Sequence, residues 1–222
     1  MPRQIGGELG AGRVTIPDQQ AWQPWAPEEL AQRLQQVSRP WCVVGGWALD
    51  LWLGRPTRAH SDLEFTLLRD DYHCFRQALA ELDFYTVRDG ELTFLPVGQT
   101  PGENIFQVWG FDAVAHAWRV DLMLESGTTD TWVYKRDPSI VYPRTAMVAL
   151  SDTGIPYLRP AAILLFKAKY TRPKDQTDFS QALPDLSREE RRWLKQHLVR
   201  LHPEHEWIQR LRPTEKYSQL NE

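Results

Sequence analysis

The sequence predicts an α/β protein, a mixed sheet with flanking helices followed by a helical C-terminal region. Three observations carry that expectation. Between residues 41 and 135, short apolar or alternating runs recur between turn residues, which is the rhythm of strands. Stretches with helical spacing flank and interrupt these runs over residues 26–38, 47–53 and 69–82. Beyond Gly154-Ile155-Pro156 the strand rhythm stops and only helical stretches follow. A chain of 222 residues with a formal charge of −3 has the length for one compact domain, or two small ones sharing a face.

In chain order, Ala26-Pro27-Glu28-Glu29 opens the first helix, with proline in its first turn and acids at the positive end of its dipole. Leu30 and Leu34 keep helical spacing to about Ser38, and Arg39-Pro40 breaks it. Trp41-Cys42-Val43-Val44 reads as a short buried strand. Gly45-Gly46 ends the strand, and residues 47–53 read as a helix closed by Gly54. After a polar loop, Asp62-Leu63-Glu64-Phe65-Thr66-Leu67 alternates like a half-buried strand. A helix is expected over 69–82, then extended segments over 84–88, 92–96, 105–109, 118–124 and 131–135. Helices are expected over 161–170, 174–183, 188–201 and 203–211, the third opened by a capping box of Ser187 and Glu190. These boundaries give a loose leader over 1–20, a sheet-bearing domain over 21–154 and a helical region over 155–215.

Composition narrows the function. Near-neutral charge argues against binding long nucleic acid, which normally needs a basic stripe. Two cysteines, Cys42 and Cys74, make no disulfide framework and point to a reducing cytosol. No apolar stretch is long enough for a signal peptide or a membrane span, so the expected location is cytoplasmic. Ten tryptophans are enough for the core, with some left to line a groove.

Three features carry chemistry. Gly45-Gly46 lies between a strand and a helix, where glycines let the backbone approach a phosphate and the helix start offers free N–H groups; the same pair also serves as an ordinary tight turn. Asp62-x-Glu64 places two carboxylates on one face of a strand, because residues two apart point the same way. Like charges so placed repel unless a cation lies between them, and Mg²⁺ favours such oxygen ligands, although a solvated strand face also carries acids. Asp121, within Trp118-Arg119-Val120-Asp121-Leu122-Met123-Leu124, is a lone acid among large apolar residues. If its strand lies beside that of Asp62, three carboxylates converge, as needed to hold two metal ions for displacement at phosphorus. Asp121 could also accept a hydroxyl proton, or simply face water from an edge strand.

Glycine pair, acid pair and later single acid, in this order, resemble the DNA polymerase β-type nucleotidyltransferase superfamily. Within it, Gly45-Gly46-Trp47-Ala48-Leu49-Asp50 and Leu53-Gly54-Arg55-Pro56-Thr57-Arg58 look much like the aminoglycoside-2''-adenylyltransferase family. The likeness is specific between Val43 and Phe65 and looser to about Arg136. The second acid is Glu64, where the best-known resistance enzymes carry Asp; the superfamily accepts either. The resemblance implies a nucleotidyltransferase fold over 21–154, with Asp62, Glu64 and Asp121 as ligands of two Mg²⁺ ions and Gly45 and Gly46 at the triphosphate. It implies transfer of AMP from ATP to a hydroxyl of a small acceptor such as an aminoglycoside, for which an acidic surface near the cleft is expected.

Other residues admit two readings. Arg58 either grips a phosphate bidentately or bridges to Asp50 or Asp62. His60 either reaches the triphosphate or braces its loop. Lys167, with Lys169, Arg172, Lys174, Asp175 and Asp178, either neutralises triphosphate charge or lies on a solvated charged helix. The same Lys…Lys-Asp-x-x-Asp pattern resembles toxin-like nucleotidyltransferases, which makes tRNA or protein the alternative acceptor. A non-catalytic nucleotide-binding module is the remaining alternative. His197, His202 and His205 lack the one-turn spacing of a zinc helix and read as surface residues. Cys42 and Cys74 read as buried and inert.

Overall fold

The computed structural model describes residues 16–211. Residues 1–15 of the expected leader and 212–215 of the expected helical region lie outside them. The chain runs α1 (Pro27–Arg33), β1 (Trp41–Val43), α2 (Gly45–Leu53), β2 (Glu64–Leu68), α3 (Tyr72–Ala78), β3 (Asp83–Arg88), β4 (Glu91–Leu95), β5 (Gln107–Asp112), β6 (Ala117–Glu125) and β7 (Thr131–Val133). It continues through β8 (Val141–Pro143), α4 (Arg144–Met147), β9 (Val148–Leu150), β10 (Pro156–Leu158), α5 (Pro160–Lys167), α6 (Pro173–Ala182), α7 (Arg188–Leu201) and α8 (Trp207–Arg210). The α/β class and the mixed sheet are as the sequence predicts.

Eight strands form one sheet in the order β4-β3-β5-β6-β2-β1-β10-β9, and β7 pairs with β8 in a separate ribbon. The pairs β2/β6 and β1/β10 are parallel; the other neighbours in the large sheet are antiparallel. β6 is the longest strand and five of its nine residues are apolar and buried, so it reads as a nearly continuous hydrophobic run. α5 packs against both α2 and α7 over the sheet, burying Ala161, Ala162, Ile163, Leu164 and Leu165. Four of the ten tryptophans, Trp25, Trp118, Trp132 and Trp207, are buried in the core.

Several boundaries move, each for a local reason. The second helix starts at Gly45, because Gly45 adopts φ +65 and turns the chain straight into the helix. Residues 69–71 form a tight 3₁₀ turn before α3. The last helix shrinks to α8, since His202-Pro203 stops α7 and the chain turns again before Trp207. β8, β9 and β10 were not legible as strands: each is three residues long, too short to show a period. β9 and β10 extend the main sheet on both sides of Gly154. The capping box of α7 is present, with Glu190 N donating to Ser187 Oγ at 3.1 Å and Ser187 N to Glu190 Oε2 at 3.0 Å.

Candidate active site

The register of the parallel pair β2/β6 sets Glu64 directly beside Asp121. Asp121 N donates to Leu63 O at 2.8 Å, which extends the ladder one residue below β2. Asp62 therefore lies just before the strand rather than within it, two residues from Glu64 on the extended chain. The three predicted acids converge. Asp121 is 2% exposed; its Oδ2 accepts from Gln107 Nε2 at 2.6 Å, and its Oδ1 is buried with no partner. Burial first, and the charge of Glu64 second, push the Asp121 carboxyl well above its ordinary range. Burial and the charge of Asp62 push Glu64 up as well, against a smaller opposing pull from Lys167.

A divalent cation is the group such a trio implies. Adjacent carboxylates, Asp121 buried and Glu64 half-buried, with an Asp121 oxygen lacking a hydrogen-bond partner, are what a hard cation satisfies, so the donor set fits Mg²⁺. Among the described residues, no three acids are already drawn together at metal-binding distances.

The glycine pair faces this cluster. Val44 N donates to Glu64 O at 2.9 Å, pinning the start of α2 against the acid strand. A Cβ on Gly45 would collide with the Glu64 carboxylate, and one on Gly46 with the Arg58 guanidinium and the His60 ring. Gly45 suits glycine by its φ of +65, and at both positions the side chains of Glu64, Arg58 and His60 lie against the backbone. The free N–H groups of the nine-residue α2 begin here, beside the acids.

Arg58 and Lys167 meet on the acids of α6. Asp178 accepts from Arg58 Nε at 2.8 Å and Nη2 at 3.1 Å, and its Oδ2 lies 2.8 Å from Lys167 Nζ. Lys167 Nζ also donates to Asp175 Oδ1 at 3.0 Å, while Arg172 Nε and N reach Asp175 Oδ2 at 2.8 and 3.0 Å. Asp175 and Asp178 are 1% and 2% exposed, so the solvated-helix reading of this segment does not hold. Burial alone would raise both acids; hydrogen bonds from Arg172, Arg58 and Lys167 outweigh it and hold both below their ordinary range. The bridge of Arg58 to Asp50 or Asp62 is replaced by this bidentate pair. Lys167 is turned inward onto both acids, whereas the Arg172 side chain stays 61% exposed as it pairs with Asp175.

His60 braces its loop. Its Nε2 lies 2.7 Å from Asp50 Oδ2 and its ring stacks on Trp47 at 4.4 Å, while Asp50 Oδ1 also accepts from Thr57 N and Oγ1. This explains the Asp in the glycine-pair motif: it ties α2 to the loop carrying Arg58. Cys42 is fully buried and burial drives its thiol up to about 12, whereas Cys74 is partly exposed. His197 is buried against Tyr142 and Trp193, not on the surface, because α7 packs that face on the β7/β8 ribbon.

These elements enclose a cavity of about 480 Å³. Gly45, Glu64, Lys167 and Arg172 line one part, and an apolar stretch including Trp132, Ile163 and Phe166 lines another. Lys135 and Arg136, in the turn after β7, stand at its rim, so the surface here is not the acidic one expected. Gln107 and Lys135 were missed as site residues, whereas the acids of α6 were singled out beside Lys167. Only α6 left a signal, two acids at helical spacing; Gln107 and Lys135 enter the site through strand order, which no local pattern encodes.

Fold and acid-bearing cleft together resemble those of nucleotidyltransferases. Residues 28–94 match the family described as Aminoglycoside-2''-adenylyltransferase, a segment that holds Gly45, Gly46, Arg58, Asp62 and Glu64 but not Asp121 or Lys167. Over that segment the chain is similar to this adenylyltransferase family, as the glycine pair and acid pair predict. Among solved structures, the crystal structure of ANT(2'')-Ia in complex with adenylyl-2''-tobramycin aligns at TM-score 0.50 and 15% identity, over 78% of this chain and 95% of that one. The solution structure of the antibiotic-resistance factor ANT(2'')-Ia aligns at 0.49 and 14%, over 75% and 85%. The lincosamide antibiotic adenylyltransferase LnuA, lincomycin-bound, aligns at 0.49 and 15%, over 69% and 91%. At such identities the likeness is one of fold. No curated protein matches the sequence. Among the described residues, no helix is long and apolar enough to cross a membrane.

Proposed function

We propose that this chain transfers AMP from ATP to a hydroxyl of a small acceptor in a Mg²⁺-dependent reaction. The observation that carries the reading is the pairing of Glu64 with Asp121 across β2 and β6, against the glycine start of α2. The acceptor oxygen bonds to the α-phosphorus, the bond from that phosphorus to the bridging oxygen breaks, and pyrophosphate leaves with the electron pair. Asp121 takes the hydroxyl proton, its carboxylate standing beside Glu64 on the paired strand. Gly45 and Gly46 receive the triphosphate on free N–H groups, and Arg58 and Lys167 neutralise part of its charge. Asp62, Glu64 and Asp121 would hold the metal, which supplies charge neutralisation and a lowered hydroxyl pKa when bound. Residues 21–154 provide the acids in this scheme and 155–215 close the cleft. The matched family's description as an adenylyltransferase supports AMP as the transferred group. The reducing cytosol suits the two free thiols.

The test is pyrophosphate release from each nucleoside triphosphate with Mg²⁺, alone and with small hydroxylated acceptors or bulk tRNA. Release that needs ATP and a small acceptor, and disappears in Asp62→Asn, is the expected result. Full activity in Asp62→Asn would sink the metal assignment, and release that needs tRNA would move the acceptor to the toxin-like class.

A further inference from the structure

The cleft's charge and its apolar wall bear on what it accepts. Three acids line the cavity: Glu64, Glu125 and Asp175. Glu64 is taken up by the cation site. Glu125 is paired with Arg144 Nη1 at 2.8 Å, both side chains 8% exposed. Asp175 is held by Lys167 and Arg172. No lining acid is left for a second positive ligand. Lys135 and Arg136 stand at the rim with no acid partner among the described residues: Lys135 Nζ lies 4.1 Å over the Phe106 ring, and Arg136 Nη1 donates to Phe166 O. An ammonium that enters a desolvated cleft needs a carboxylate to replace its water, and here it would meet two cations instead. Met123 on β6, Trp132, Ile163 and Phe166 offer an apolar body its complement.

From this lining we infer that the acceptor is a small hydroxyl compound with an apolar body and a neutral or anionic polar end, not a polycation. The inference rests on the transferase reading and names the substrate class of the same site. Lys135 and Arg136 are then its specificity residues, excluding polycations by charge as much as attracting the substrate.

Equilibrium binding of three probes tests it, in the presence of Mg²⁺ and a non-hydrolysable ATP analogue: 4-methylumbelliferyl glucoside (neutral), 4-methylumbelliferyl glucuronide (anionic) and tobramycin (polycationic). Both coumarin glycosides are expected to bind at least ~10-fold more tightly than tobramycin, a margin of one charge contact. Charge reversal in the double variant K135E/R136E, at two exposed positions, should weaken the glucuronide and strengthen tobramycin. Tobramycin binding as tight as the glycosides, or a glucuronide affinity unmoved by the charge reversal, would overturn the inference. Displacement of the glycosides by the ATP analogue would also overturn it, assigning the apolar wall to the nucleobase. Loss of Mg²⁺-dependent binding of the ATP analogue itself would instead strike the transferase reading, which keeps the two failures apart.

Discussion

At the scale of single residues, Asp121 holds the clearest tension in the molecule: a buried carboxylate beside a second acid, with one oxygen that nothing satisfies. Asp121→Asn keeps the shape and the Gln107 contact partner while removing the charge. Turnover should fall by ~10²–10⁴, the range for a lost general base, while the melting temperature without metal rises. A drop in both would mean that Asp121 is structural. The same tension sets a pH dependence. Folded Asp121 and Glu64 hold protons above their ordinary values of 3.8 and 4.5, so the native state binds more protons than the unfolded one in that window. Stability in EDTA should therefore increase as pH falls from neutral toward those ordinary values. Below 3.8 the opposite groups take over, since Asp175 and Asp178 are held low and lose their ion pairs on protonation. Thermal melts with and without Mg²⁺ read this directly: metal should raise the melting temperature most at the alkaline end, and Glu64→Gln should flatten the slope. Gly45→Ala tests the backbone contribution. Its φ of +65 costs a side-chain residue about 1–2 kcal/mol, and its Cβ would displace the Glu64 carboxylate, so metal-dependent nucleotide binding should be lost even where the protein stays folded.

At the scale of elements, α6 does what the sequence disguises. Its two acids, three residues apart, share a face, and that face is buried under cations from two other elements. Asp178→Asn leaves Arg58 and Lys167 with one carboxylate fewer in a site where the partners' side chains are 18% and 8% exposed. A loss of roughly 3 kcal/mol follows from an unpaired buried charge, with the KM for nucleotide raised on the order of tenfold because Arg58 loses its fixed position and Lys167 keeps only Asp175. Ser187→Ala is the contrasting case. It removes the side-chain cap of α7 far from the cleft, so about 1 kcal/mol of stability should go with kinetics unchanged. Denaturant unfolding beside steady-state kinetics separates the two. The sequence exposes what is local: the capping box, Gly54 closing α2 in the left-handed region, the alternation around Glu64 and the glycine pair. It hides what is set by pairing. That Gln107 reaches Asp121 depends on β5 lying beside β6, and α6 looks solvated because helical spacing does not say which face a distant arginine will cover. Arg58 and Asp178 are 120 residues apart in the chain.

At the scale of the whole molecule, the eight-stranded sheet decides how far the acid-bearing half can stand alone. The change of character at Gly154 marks where helices take over, yet β10 lies beyond it and pairs in parallel with β1, the strand that delivers Gly45. Val43 is opposite Tyr157 in that pair, and α5 follows at once to pack on α2. A chain ending at Gly154 would keep Asp62, Glu64, Asp121 and both glycines but leave β1, paired then only with β2, as a sheet edge. It would also expose the face of α2 that α5 covers. Asp178 and Lys167 would be gone, leaving Arg58 without its carboxylate. Such a truncation should retain secondary structure by far-UV circular dichroism, lose near-UV signal and bind apolar dye, as a chain does when collapse outlives packing. If it instead melts cooperatively and binds Mg²⁺ with nucleotide, residues 21–154 are a domain in their own right and the C-terminal helices only a lid. The sheet order argues for the first outcome, because the start of α2 is fixed from both sides: by Glu64 on β2 and by the β10–α5 turn on the other.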